Sequence, residues 1–133
     1  MMQNMTEHRL ATAKAAQTYN AAADYFDHPV SSFWHGFGRQ TIVRLNLQPG
    51  EKVLDVCSGS GGSALPAAEQ VGTEGQVIAV DLASQLLALA EAKARDRQLT
   101  QIEFRVADML ELAYPAAYFD AIVCVFGIFF VPD

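Results

Sequence analysis

Val53-Leu54-Asp55-Val56-Cys57-Ser58-Gly59-Ser60-Gly61-Gly62 reads as an apolar strand that runs past an acidic residue into a glycine-rich turn, with a helix expected from about Ser63. Gly59 and Gly61 admit positive φ and let the backbone approach a ligand with no Cβ in the way. A helix opening beyond them leaves unpaired N–H groups directed at the same place, which favours an anionic or polar ligand group. Working outward, Asp81 ends a second apolar run, Gln76-Val77-Ile78-Ala79-Val80, and Asp108 follows a third, Ile102-Glu103-Phe104-Arg105-Val106. Three strand ends thus carry three carboxylates. In an open parallel sheet the carboxyl ends of the strands share one edge, and ligands bind in the crevice at the switch point there. The three segments should therefore converge on one site.

The flanking sequence supplies the alternation that such a sheet needs. Ala15, Tyr19, Ala22, Ala23 and Phe26 recur at helical spacing and predict an amphipathic helix over 12–26 that ends before Pro29. A second helix is expected over 32–45, carrying Phe33, Trp34, Phe37, Ile42, Val43 and Leu45 and closing at Gln48-Pro49-Gly50. A short helix over 63–71, the turn Gly72-Thr73-Glu74-Gly75 and strand two complete one βαβ unit. Leu86, Leu87, Leu89, Ala90 and Ala94 mark a longer helix over 84–97 before strand three. Ala121-Ile122-Val123-Cys124-Val125-Phe126 has no polar face and is expected to be a strand buried on both sides. The pattern is α/β, a Rossmann-like doubly wound parallel sheet. We read residues 1–133 as a single domain, with a helical lead-in over 1–48 and a Rossmann-like core over 49–133.

Composition narrows the function. A chain of 133 residues that is 51% hydrophobic has the make-up of one folded domain. A net charge of −6 argues against a nucleic-acid backbone as partner, because neutralising phosphates needs a basic face, so a small-molecule ligand is expected. No apolar run reaches the length of a membrane span, and the first residues are polar, so neither a span nor a signal peptide is expected. Cys57 and Cys124 sit in apolar strand patterns and not at metal or disulfide-framework spacings, which points to buried free thiols in a reducing, cytoplasmic setting. His8, His28 and His35 have no metal-ligand spacing. Surface or loop positions are expected for them, with His35 a candidate proton acceptor, and no metal is expected. Phe33, Trp34 and Phe37 are expected in the core, the alternative being the roof of a substrate pocket. Asp81 and Asp108 also have plainer readings, as a helix-capping carboxylate and a turn residue.

From Thr12 to Asp133 the chain resembles the class I S-adenosylmethionine-dependent methyltransferases of small molecules. The family's first motif, acidic-x-Gly-x-Gly-x-Gly, falls on Asp55, Cys57, Gly59 and Gly61, with Ser58 between them. Cys57 replaces the first glycine, as in the ubiquinone and menaquinone biosynthesis methyltransferases, and cysteine calls for ordinary φ/ψ where glycine would not. The resemblance implies S-adenosylmethionine as cofactor. It implies that Asp81 holds the ribose hydroxyls, that Leu82 packs on the adenine, and that Asp108 with the Met109 backbone reads the adenine amino group. It further places Phe126 and Gly127 beside the methionine portion, with Tyr19 closing over the cofactor. No catalytic base follows from it.

The family's sheet has seven strands in the order 3-2-1-4-5-7-6, and four are legible here, so the resemblance implies a sheet of order 3-2-1-4 truncated after strand four. Its open edge, beside Ile128, Phe129, Phe130 and Val131, would pair with a second copy or with a separate C-terminal half. The function implied is methyl transfer to a small acceptor such as a quinone, lipid or other metabolite, with this chain supplying the cofactor-binding half. One alternative is a catalytically silent binding module that dimerises through the open edge. The other is an NAD(P)-dependent oxidoreductase, because Gly59-Ser60-Gly61-Gly62-Ser63-Ala64 also fits G-x-G-x-x-A with Asp81 at a suitable distance.

Overall fold

The computed structural model describes residues 2–130. Its sheet is parallel, in the order β3-β2-β1-β4, from β1 (Lys52–Val56), β2 (Gln76–Asp81), β3 (Ile102–Val106) and β4 (Ala121–Val123). The helices are α1 (Met2–Ala21), α2 (Ala23–Phe26), α3 (Phe33–Leu45), α4 (Ala64–Val71) and α5 (Ser84–Asp96). The alternation is that expected from the sequence, and the strand order is that implied by the family resemblance.

Period-two alternation assigns each strand residue a face. Val53, Val77, Ala79 and Val123 pack on one face with Ile42 of α3 and with Ala64, Ala67, Ala68 and Val71 of α4. The small residues of α4 let the helix lie close on β1 and β2. Leu54, Val56, Ile78 and Val80 point to the other face, where the segment after β3 covers them through Met109, Leu112, Tyr114, Tyr118 and Phe119. β4 enters beside β1 because Asp120 and Lys52 exchange two bonds, Lys52 N–H to Asp120 Oδ2 and Asp120 N–H to the Lys52 carbonyl, each 2.8 Å.

Two expectations change. β4 stops at Val123, and Ile122 is 64% exposed, so this strand is buried on one face and not on both. Ile122 shares its face with Leu54, its register partner, but the covering segment does not extend over the sheet edge. Ile128–Phe130 forms a 3-10 turn, and Val131 lies outside the described residues. In addition, α1 begins at Met2, ten residues before the periodicity becomes legible, and a break at Ala22 separates it from α2. The expected helix over 12–26 is therefore two helices. This longer α1 packs on α5 and reaches the carboxyl edge of the sheet.

Candidate functional site

The glycine-rich loop leaves β1 by a left-handed turn. Cys57, Gly59 and Gly61 have φ of 55°, 56° and 97°. Cys57 thus adopts the conformation of the glycine it replaces, contrary to the ordinary φ/ψ expected of it, at a cost of order 1–3 kcal/mol. Packing holds it there. Gly127 approaches so closely that a Cβ on it would lie 2.5 Å from Cys57 Cβ and 2.8 Å from Cys124 Sγ, while Cys57 Sγ sits 3.6 Å from Met109 Sδ. Burial, reinforced by the Cys124 thiol and the Asp81 carboxylate, pushes the Cys57 thiol up to about 12, so it remains a thiol at neutral pH. Both cysteines are free, but Cys124 is exposed and Cys57 only half-buried, so the expectation of two buried thiols fails where β4 ends early.

Three acidic side chains stand around this edge of the sheet and are held in different ways. Asp55 lies beneath the glycine-rich loop, fully buried, with Oδ2 accepting from Ser63 Oγ at 2.6 Å. Burial raises its carboxyl to about 7 against the opposing effect of the Ser63 bond, and the nearby Asp81 raises it further. Asp55 braces the start of α4 and lines neither of the two main cavities. Asp81, at the end of β2, accepts from Gly59 N–H at 2.9 Å on Oδ2 and from Ala83 N–H at 2.8 Å on Oδ1. Desolvation raises its carboxyl, and the backbone donors of Ala83, Gly59 and Leu82 work against that rise. Asp108, beyond β3, accepts from Leu110 N–H at 2.9 Å on Oδ1, as a turn residue does. Its Oδ2 meets α1: His8 Nε2 lies at 2.9 Å and Thr12 Oγ1 donates from 3.2 Å. Partial burial tends to raise this carboxyl, but the Leu110, His8 and Thr12 bonds together hold it below its ordinary value.

Two cavities open along the carboxyl edge and share Ala15, Tyr19, Cys57, Asp81 and Leu82 in their walls. One, of about 420 Å³, lies under α1 and is bounded by His8, Thr12, Asp108 and Met109. The other, of about 470 Å³, runs from Ser58 and Gly59 to the aromatic side chains of α2, α3 and the segment after β4, including Phe126. Each falls within the usual range for small-molecule pockets, roughly 300–1,000 Å³. A Cβ built on Gly59 would meet no atom within 4 Å and would project into open space, as a cradle for ligand backbone contact requires. Gly61 instead packs inward, where a Cβ would lie 2.9 Å from Leu65 Cγ.

The family model for a methyltransferase domain matches residues 53–133, more than half of the chain. The chain belongs to the class I S-adenosylmethionine-dependent methyltransferases. Among curated relatives, the demethylmenaquinone methyltransferase of Oceanobacillus iheyensis is 39% identical over 95 residues, spanning 71% of this chain and 40% of the relative. The aklanonic acid methyltransferase of Streptomyces sp. (strain C5) is 30% identical over 120 residues, spanning 90% of this chain and 54% of its own length. The chain thus spans about half or less of those relatives' length. A solved S-adenosylmethionine-dependent methyltransferase from Aquifex aeolicus shares the fold with a TM-score of 0.65 at 23% identity, over 79% of this chain and 55% of that one. Phosphoethanolamine N-methyltransferase 1 of Haemonchus contortus shares it at 0.75 and 14%, over 93% and 26%.

Of the residues singled out from sequence, Tyr19, Cys57, Ser58, Gly59, Asp81, Leu82, Asp108, Met109 and Phe126 line one or both of the two cavities, whereas Asp55 and Gly61 support the loop from behind. Three features differ from the leading sequence reading or were missed by it. His8 and His35 stand on helices facing the site and not on surface loops; only His28 is exposed, its Nδ1 accepting from Val30 N–H. Phe33 and Phe37 are 50% and 49% exposed and wall the larger cavity with Trp34, so the alternative reading as a pocket wall holds over core burial. Lys93 of α5 reaches across to Asp27 at 2.5 Å and donates to the Ser60 carbonyl at 2.9 Å, pinning the loop. No helix among the described residues is long and apolar enough to cross a membrane, and no acidic, cysteine or histidine cluster among them could hold a metal ion.

Proposed function

We propose that this methyltransferase chain binds S-adenosylmethionine in the joined cavities and positions it for methyl transfer to a small-molecule acceptor, a quinone, lipid or other metabolite. The observation that carries the reading is Asp81. Both its oxygens are fixed by backbone donors of the glycine loop and of the turn into α5, and this carboxylate, with its two acceptor oxygens, stands in the wall that the two cavities share. Paired acceptor sites of that kind suit the adjacent hydroxyls of a ribose. In the same reading Leu82 packs on the adenine, and Asp108 with the Met109 backbone reads its amino group, the carboxylate accepting from it. Cys57, Ser58, Gly59 and Gly61 shape the loop around the methionine portion, with Asp55 bracing them. Phe126 and the Gly127 backbone close that portion from β4, and Tyr19 closes it from α1.

When bound, the cofactor supplies a methyl group activated on a sulfonium. The protein's contribution is to orient the two reactants and exclude water, with positioning as its main catalytic resource. The lead-in helices and the core act as one unit in this account, since α1 supplies walls to both cavities. A cytoplasmic setting belongs to the reading and is supported by two free thiols.

Thermal unfolding with S-adenosylhomocysteine, and with NADH as control, tests the proposal. At 100 times its dissociation constant a ligand adds about 2.7 kcal/mol to stability. A shift with S-adenosylhomocysteine alone is expected. A shift with NADH alone would transfer the site to a nicotinamide cofactor, and no shift with either would remove the cofactor reading from this chain.

A further inference from the structure

Cys57 and Cys124 follow different strands and are brought to one point by an irregularity in the glycine loop. β1 and β4 pair with Asp55 opposite Val123, so one residue further on Val56 stands beside Cys124. Cys124 lies two residues beyond Ile122 and takes the face of Leu54 and Val56. Alternation alone would send Cys57 to the opposite face, against α4. Its left-handed φ of 55° instead turns the side chain into the cluster of Leu54 and Val56, beside Met109. Gly127 fills the place where the two sulfurs meet: a Cβ built on it would lie 2.7 Å from Cys57 Sγ and 2.8 Å from Cys124 Sγ. Neighbouring strands run about 4.8 Å apart, and an offset of one residue adds a rise of about 3.3 Å, which suits the roughly 4.4–6.8 Å between Cα atoms that a disulfide spans. A left-handed backbone at a non-glycine residue is strained, and such residues gather at functional sites.

The two thiols differ in access. Cys124 is exposed, whereas Cys57 is half-buried and held as a thiol, first by burial and next by the nearby Cys124. An oxidant arriving from solvent therefore reaches Cys124 first, and the thiolate is the form that reacts. With a peroxide, the Cys124 thiolate takes one oxygen as the sulfenic acid while the O–O bond breaks and hydroxide leaves. The Cys57 sulfur then attacks the Cys124 sulfur, the S–O bond breaks, and the Cys57 proton departs with that oxygen as water. In sum, two thiols lose two electrons to become one disulfide, and one peroxide is reduced to two waters. A small thiol reverses the change by exchange. In a reducing cytosol, bridges of this kind are transient and redox-sensing.

We propose that Cys57 and Cys124 form a reversible disulfide, closed by a peroxide and opened by a low-molecular-weight thiol, that fastens the glycine loop to the end of β4. Closing it draws Cys57 Sγ from Met109 Sδ and moves the wall that both cavities share, since Cys57 lines each of them. Ser58 and Gly59 follow Cys57 directly, and Gly59 N–H is a donor that holds Asp81, so the bridged loop should hold its ligand less well. That consequence rests on the methyltransferase reading of the cleft; the bridge itself does not.

The reduced 133-residue chain, treated with a small excess of hydrogen peroxide at neutral pH and low protein concentration, tests this by intact mass, non-reducing electrophoresis and peptide mapping, beside Cys57→Ser and Cys124→Ser. The parent is expected to give a single-chain mass lighter by two hydrogens and a Cys57–Cys124 cross-linked peptide that dithiothreitol releases. Cys57→Ser should stop at the sulfenic acid, captured on Cys124 by dimedone, while Cys124→Ser should keep its thiol at least tenfold longer than the parent keeps either. After removal of the oxidant, calorimetry should show the bridged parent binding S-adenosylhomocysteine at least fivefold more weakly than the reduced parent, with recovery in dithiothreitol. Cys124→Ser, altered only at an exposed side chain, should stay within twofold of the reduced parent before and after treatment. A cross-link between two copies, or oxidation of Cys124 past the sulfenic acid with no bridge, would overturn the proposal. A bridge that leaves affinity unchanged would overturn its control of the cleft. A bridge with the expected variant pattern, in a chain that binds S-adenosylhomocysteine in neither state, would uphold the bridge and remove the cofactor reading instead.

Discussion

Asp81 and Asp108 close neighbouring strands of the same sheet, yet the structure holds them by different means. Asp81 is fixed by backbone N–H groups of Gly59 and Ala83, both supplied by turns that the sheet itself orders. Asp108 takes one bond from Leu110 in its own turn and two contacts from His8 and Thr12, about 100 residues earlier on α1. One side of the cleft is therefore built by local chain geometry around a rigid core. The other is completed only when a distant helix docks. In the proposed reading, most of the ligand-binding energy is expected from the Asp81 side and an adjustable share from the α1 side.

The largest effect should come from breaking the rigid side. Asp81→Ala removes the acceptor shared by the loop and the start of α5, and hydrogen bonds to a charged group contribute about 1.5–3 kcal/mol each. Affinity for S-adenosylhomocysteine should fall at least thirtyfold by calorimetry. Close behind stands Gly38→Ala, because a Cβ there would lie 2.4 Å from the Gly62 carbonyl oxygen, and backbone cannot step aside as a side chain would. Overpacking of this kind costs about 1–3 kcal/mol. Gly36→Ala on the same helix meets nothing within 4 Å and should be neutral or gain about 0.5–1 kcal/mol from helix propensity. Denaturant titration of the two variants checks the contrast, and equal effects would mean that α3 does not seat on the glycine loop.

A smaller effect lies in the pH dependence of the buried side. Asp55 has its folded carboxyl raised from an ordinary value of 3.8 to about 7, so the folded state holds its proton more tightly than the unfolded state does. Its favourable contribution is present in full below about pH 4 and is lost as pH rises through about 7. Asp55→Asn should remove that decline between pH 4 and 7, measured as the variant-to-parent difference in unfolding midpoint. Asp108 has the opposite sign: its lowered carboxyl stabilises the fold above its ordinary value, and that contribution is lost as pH falls through the lower folded value. The smallest change is expected on the adjustable side. His8→Ala removes one partly buried contact to Asp108, costs about 0.5–1.5 kcal/mol, and should weaken S-adenosylhomocysteine less than tenfold.

The same contrast explains what could be read from sequence. The strands, the glycine loop and the acid at the end of β2 were legible because each depends on neighbours in the chain: apolar runs, glycines that tolerate positive φ, and an acid closing a strand; the strand order came from the family resemblance. Cys57 misled, since it takes a left-handed backbone in a site packed closely against Gly127, 70 positions away, where local sequence carries no signal. β4 misled for a related reason. Its composition is that of a strand buried on both faces, but exposure depends on what covers the sheet, and nothing among the described residues covers Ile122. Phe33 and Phe37 have the helical spacing of core residues. Only the position of α3 at the mouth of the cleft turns them into a pocket wall. His8 gave no local signal at all, because its partner is Asp108.

The most direct test of the central claim is a calorimetric titration of S-adenosylhomocysteine into the parent chain, Asp81→Asn and His8→Ala at one pH and ionic strength. The account predicts saturable binding to the parent, a loss of at least tenfold for Asp81→Asn, and a clearly smaller loss for His8→Ala. Equal affinity for the parent and Asp81→Asn, or a larger loss for His8→Ala, would contradict it and move the anchor of the site from the end of β2 to the docked helix.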